Sequence, residues 1–152
     1  MTIEDDIAFF ERVPTLNTLG RAALRILAIG AESRYVHSGE VLFSAGDAAD
    51  AGFIVQEGTF SLTTRRTEGG ESMVVGRGTL LGELALLTET VRPVTATAKE
   101  PSTVLRIPRT LFLKMLEGYP DAAQKLRDII ATRTDQSTNE IYGVRSLLDG
   151  LH

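Results

Sequence analysis

Glycine punctuation between Ala31 and Ile107 constrains this chain more than any other feature. Gly39, Gly46, Gly52, Gly58, Gly69-Gly70, Gly76, Gly78 and Gly82 cut that stretch into short pieces. The pieces are rich in β-branched and aromatic residues: Val41–Phe43, Phe53–Val55, Phe60–Thr64, Met73–Val75, Val94–Ala98 and Val104–Ile107. Short apolar runs bounded by turn residues read as strands, and many of them in succession predict an antiparallel roll or sandwich. Gly46-Asp47 and Gly69-Gly70 supply turn chemistry, because glycine reaches positive φ without steric cost.

The period changes at both ends. Ile3, Ile7 and Phe10 recur at helical spacing and stop before Pro14. A second helix is expected with Asn17 or Thr18 as its cap, Leu19, Ala23, Ile26 and Leu27 on its apolar face, and Gly30 at its end. After Pro108, Leu111, Phe112, Met115 and Leu116 form a stripe that closes at Gly118. A last segment begins at Pro120, a favourable first helical position, with Ala123, Leu126 and Ile130 on one face. The expected fold is therefore α+β: an antiparallel β-roll, jelly-roll-like, with short N-terminal helices and C-terminal helices. The domain is expected over 1–135, with 136–152 a tail or helix extension.

Charge and composition narrow the function. The formal net charge is −4, and no basic stripe is present of the kind that phosphate neutralisation on nucleic acid requires. Arg65-Arg66 is the densest basic pair, and a solvated hairpin is its expected place. With no cysteine there is neither a disulfide nor a thiolate metal site. The two histidines, His37 and His152, lack companions at ligand spacing, and no serine sits in a nucleophile elbow, so catalysis is not expected. No apolar run is long enough to span a bilayer, and the acidic amphipathic start is unlike a secretory signal, so a cytoplasmic location is expected.

One segment departs from generic roll sequence. Gly78 to Leu87 reads GTLLGELALL, and Arg92-Pro93-Val94-Thr95-Ala96 follows. Gly82 and Ala85 keep side chains clear, so an anion can approach the backbone where a turn of helix leaves its first N–H groups unpaired. Arg92 can bring a guanidinium to the same anion. Glu83 would be repelled by it, and so suits a neutral hydroxyl such as that of a sugar. A second reading makes Glu83 and Arg92 a structural ion pair between turn and strand, with no ligand at all.

Gly82-Glu83-Leu84-Ala85-Leu86-Leu87, with Arg92 and Thr95 in register, resembles the phosphate-binding cassette of the cyclic nucleotide-binding domain family, the type found in the catabolite activator protein and in the regulatory subunits of cyclic AMP-dependent kinase. Ser38–Phe43, Ala45–Asp47, Phe53–Gly58 and Ile107–Arg109 with Phe112 are similar to its other landmarks, and the resemblance runs from about Asp6 to Thr134. It implies a ligand-sensing module in which Glu83 takes the ribose 2′-hydroxyl, while Arg92 and the amides near Gly82 and Ala85 hold the cyclic phosphate. Leu84 and Pro93 complete the expected ligand-binding set. No cofactor is implied; cyclic AMP is the expected regulatory ligand, and the C-terminal helices are expected to carry the signal to a second copy or a partner protein.

Two departures from the family pattern matter. Pro93 stands where the family often uses alanine or serine and its amide, and proline has no N–H. Weak binding is therefore expected, and the threonine that cyclic GMP readers commonly carry there is missing. After Gln136 too few residues remain for a helix-turn-helix, so direct DNA binding is not expected. Tyr142 is a candidate cover for a bound base, with packing as its plainer role. Ile141, Val144, Leu148 and Leu151 extend the last stripe at near-heptad spacing and point to a homodimer. A ligand-free interaction module that retains the fold is the alternative.

Overall fold

A computed structural model describes residues 2–64 and 72–129. Arg65-Arg66, Gly69-Gly70, Ile130, Tyr142 and the dimer stripe from Ile141 to Leu151 lie outside the described residues.

Helix α1, Ile3–Phe10, starts at Thr2, whose side chain accepts from the Asp5 amide while the Asp5 carboxylate accepts from the Thr2 amide. That reciprocal box satisfies two donors a helix start leaves open. Helix α2, Arg21–Gly30, is capped differently from expectation. Its N-cap is Gly20, with no side-chain hydrogen bond, while Asn17 and Thr18 lie exposed in the turn before it. The turn has its own backbone bonds, from Leu16 and Asn17 to Val13 O, so a polar cap near residue 17 has no helix to close.

Ten strands follow among the described residues, all paired antiparallel. They are β1 Glu32–Val36, β2 Val41–Phe43, β3 Ala48–Ala49, β4 Ala51–Glu57, β5 Phe60–Thr63, β6 Met73–Val75, β7 Leu80–Leu81, β8 Thr90–Val91, β9 Thr95–Ala98 and β10 Ser102–Pro108. One sheet has the order β1-β10-β4-β7, the second β2-β9-β5-β6, and β3 pairs with β8 alone. Helix α3, Arg109–Gly118, continues directly from β10, and residues 120–129 form a further helix that begins, as expected, at Pro120.

Two apolar cores result, and β4 separates them. Phe53 and Val55 face the interior of the roll, with Phe43, Phe60, Leu62, Leu81 and Val104. Ile54, between them, faces the other way onto a core of Phe10, Leu16, Leu24, Leu27, Phe112 and Met115. Strand period 2 sends alternate side chains to opposite faces, and here both faces are covered, which is why the strand is a nearly continuous apolar run. Strand β10 divides in the same way, Val104 inward and Leu105 and Ile107 toward the helices. In the helix over 120–129 the buried residues are Ala122 and Leu126, with Ala123 half-buried, so its inward face is turned one residue from the expected stripe.

Candidate functional site

The segment from Gly82 to Arg92 crosses the boundary between the two cores. Strand β7 ends at Leu81, and Gly82 turns the chain at a φ of +81°. A Cβ on Gly82 would stand 2.4 Å from Arg92 Nη1 and 3.2 Å from Ala51 O. Glycine is needed twice over, for the left-handed backbone and for the close approach. A single 3-10 turn, Leu84–Leu86, follows. Ala85 and Leu86 are buried, and Leu84 stands out at 59% exposure.

Arg92 is held by its backbone on both sides. Its N–H donates to Asp47 O at 2.8 Å, and its carbonyl accepts from the Gly46 N–H at 2.8 Å. The Ala45 amide, next along, donates to Thr95 Oγ1 at 2.9 Å. The Gly46-Asp47 turn therefore fixes where the side chain starts. From there the guanidinium runs into the roll and lies over Phe43 at 4.4 Å and Phe53 at 5.3 Å from the ring centroids. Those two rings stack on each other at 5.8 Å.

Arg92 as a residue is 5% exposed, and its buried Nη1 has no hydrogen-bond partner. Burial pushes its pKa below the ordinary arginine value, while Asp50 pulls the other way. An unpaired donor on a buried cation costs more than the roughly 1–3 kcal/mol of a neutral group, and stacking on two rings returns about 0.5–2 kcal/mol. The deficit is the kind that a bound anion removes.

Glu83 goes to the opposite side. Its carboxylate accepts a hydrogen bond from the Thr15 hydroxyl, which sits between Val13 and Leu16 in the turn joining α1 to α2. Thr15 is buried at 6% exposure and has a φ of +80°, alone among the described non-glycine residues. That backbone costs a β-branched residue about 1–3 kcal/mol, so its surroundings must hold it there. The structural ion pair between Glu83 and Arg92 is not what forms: Thr15 engages the carboxylate, and Nη1 is left over.

The remaining expected site residues divide. The Ala85 amide, expected on the phosphate, donates to Gly82 O at 3.0 Å and closes the 3-10 turn, as the Leu86 amide does on Glu83 O. In a turn of that type the amides ahead of the first bond are those of Glu83 and Leu84. Pro93 is exposed beside Arg92. Four contributors escape the sequence: Phe43, Phe53, Arg109 and Thr15. Phe43 and Phe53 stood in the sequence as strand residues, with no sign of the cation they carry. Arg109, quoted as a landmark, does more: its Nη1 donates to the carbonyls of Ala49 at 3.0 Å, Ala85 at 3.2 Å and Thr88 at 2.9 Å. It clamps the carbonyl end of the cassette turn to the first residue of α3. The Thr15 contact had no signal either, since nothing in a threonine codon announces positive φ.

Residues 33–119 match the family model described as the cyclic nucleotide-binding domain. This chain belongs to the cyclic nucleotide-binding domain family. Lysophospholipase NTE1 of Chaetomium globosum is 36% identical over 119 residues, which are 77% of this chain and 8% of that protein. The chain thus spans a small fraction of that relative, and the likeness is to one domain within it. A solved cyclic nucleotide-binding-like protein from Brucella abortus is 36% identical, with a TM-score of 0.66, over 74% of this chain and 98% of that one. The N-terminal domain of a transcriptional regulator from Streptomyces coelicolor is 26% identical, with a TM-score of 0.77, over 88% and 94%. Family membership makes the chain a ligand-binding regulatory module of antiparallel sheets with flanking helices. Among the described residues no cluster of three His, Cys, Asp or Glu could hold a metal, and no helix is long and apolar enough to cross a membrane.

Proposed function

We propose that this chain senses a cyclic nucleotide, with cyclic AMP the expected ligand, and passes the occupancy of its cassette to the C-terminal helices. The observation that carries the proposal is Arg92: a guanidinium buried on two aromatic rings with Nη1 unpartnered. A cyclic phosphate supplies the missing acceptor and the missing charge. Gly82 leaves it room, since any Cβ there would strike Nη1. Glu83, once it swings away from Thr15, takes the ribose 2′-hydroxyl, Leu84 offers an apolar surface beside it, and Ala85 keeps the turn small. Pro93 withholds one amide, so the affinity is modest. The module works in the cytoplasm through a second copy or a partner protein, without binding DNA directly.

Titration calorimetry with cyclic AMP and cyclic GMP tests this reading. Cyclic AMP should bind, and Arg92→Ala should weaken it by about ten- to a hundredfold, the loss of a charge-assisted pair. Wild-type affinity in the Arg92→Ala protein overturns the assignment. If neither nucleotide binds the wild type, the ligand-free interaction module replaces it.

A further inference from the structure

The carboxylate assigned to the ribose is already engaged by a hydroxyl. Thr15 donates to Glu83 across a sequence separation of 68 residues, from a turn whose flanking residues Val13 and Leu16 are fully buried in the helical core. A threonine hydroxyl and a ribose 2′-hydroxyl are the same donor to a carboxylate. The backbone under Thr15 is left-handed, where a β-branched residue is poorly tolerated, and such outliers concentrate at switch regions. The contact also joins two parts of the molecule with different roles: the cassette on one side, and the turn between α1 and α2 on the other.

We infer that Thr15 is an internal stand-in for the ribose hydroxyl, a latch that ties the N-terminal helices to the cassette and that a cyclic nucleotide must displace. The inference rests on the cyclic nucleotide reading above. On binding, the Glu83 carboxylate swings from Thr15 to the ribose and exchanges one hydroxyl for another, so the ribose contact contributes little net affinity in the wild type. The exchange frees Thr15, and its backbone can then leave the left-handed region. The turn from Val13 to Leu19 loosens from the cassette, and the N-terminal helices become a second output of the domain, separate from the Arg109 clamp on α3. A ligand lacking the 2′-hydroxyl has no donor with which to displace Thr15 and should leave the latch closed.

The test is calorimetry on the full chain with two probes, cyclic AMP and 2′-deoxy cyclic AMP. The proteins are wild type, Thr15→Ala, Thr15→Gly and Thr15→Ser. Thr15→Ala removes the competing hydroxyl, and Thr15→Gly does the same while suiting the left-handed backbone, so one of the two keeps the fold. Both should bind cyclic AMP about tenfold more tightly than wild type, the factor for one hydrogen bond to a charged group. Thr15→Ser keeps the hydroxyl and should match wild type. With 2′-deoxy cyclic AMP the Ala, Gly and wild-type proteins should agree within a factor of about two, because Glu83 is not contested. Unchanged or weaker cyclic AMP binding in the Ala and Gly proteins overturns the latch alone, as does equal tightening for both probes. No binding of either probe to any of the four proteins overturns the cassette reading, and the latch with it.

Discussion

The roll interior and the turn between α1 and α2 each face one charged side chain from the same short segment, and they treat it in opposite ways. Glu83, turned toward the helices, meets a hydroxyl donor from Thr15. Arg92, turned into the roll, meets two aromatic faces and no acceptor for Nη1. The two also differ in burial, since Arg92 is buried and Glu83 only half-buried, so the group that has lost more water is the one without an acceptor. The helical side has supplied its polar group from within the chain, and the roll side has left its own open. A domain that had kept the fold for architecture alone would gain by closing that gap or by replacing the arginine. On the function proposed above, the open donor is the ligand side of the segment, and the engaged carboxylate is the side that the proposed latch regulates.

The largest effect that can break this contrast comes from Gly82, where the segment bends between the two cores. Gly82→Ala places a Cβ 2.4 Å from Arg92 Nη1 on a backbone at φ +81°. The positive φ and the overpacking together should cost about 2–4 kcal/mol in thermal unfolding, and nucleotide binding should vanish with the displaced guanidinium. Gly78→Ala sharpens the comparison. Its φ is +89°, but a Cβ there meets nothing within 4 Å. It should lose only the backbone share, about 1–2 kcal/mol, and bind as wild type. Loss of binding in both proteins would mean that general destabilisation, not the approach to Arg92, governs the site.

A smaller effect on stability and a gain in affinity are expected at Pro93. Its ring is exposed, so Pro93→Ala should change unfolding by less than about 1 kcal/mol. The restored amide can donate to the cyclic phosphate and should tighten cyclic AMP binding by roughly ten- to a hundredfold. Calorimetry in matched salt checks it. An unchanged affinity means that the missing amide does not limit this site.

How much of this was legible depended on whether a residue's role lay in its own side chain. Strands β2 and β6 begin and end where their apolar runs do, and β4 and β10 extend theirs by a few residues. Strand β1 was invisible because four of its five residues are exposed and polar or amphipathic. It is an edge, held by its ladder to β10 and by the pair of Glu32 with Arg106 at 2.9 Å. Strands β3, β7 and β8 have two residues each, too few to show a period. Glu83 and Arg92 stood out through the cassette resemblance, yet their divergence, one toward the α1–α2 turn and one into the roll, could not be read along the chain. It depends on Thr15, Phe43 and Phe53, which come from three distant segments and carry no signal of their own.

The most direct test of the central claim, that Arg92 is kept for a ligand and not for the fold, is Arg92→Met, measured for thermal stability and cyclic AMP affinity on one preparation. Methionine fills similar space, and its thioether packs on Phe43 and Phe53 in place of the cation, a contact worth about 0.3–1.5 kcal/mol. Removing a buried charge whose Nη1 has no hydrogen-bond acceptor should leave Tm unchanged or raise it, at about 2–4 °C per kcal/mol for a chain of this size, while cyclic AMP binding is lost. A Tm lowered by many degrees together with retained nucleotide binding would contradict the account, because Arg92 would then be a structural residue and the anion would bind elsewhere.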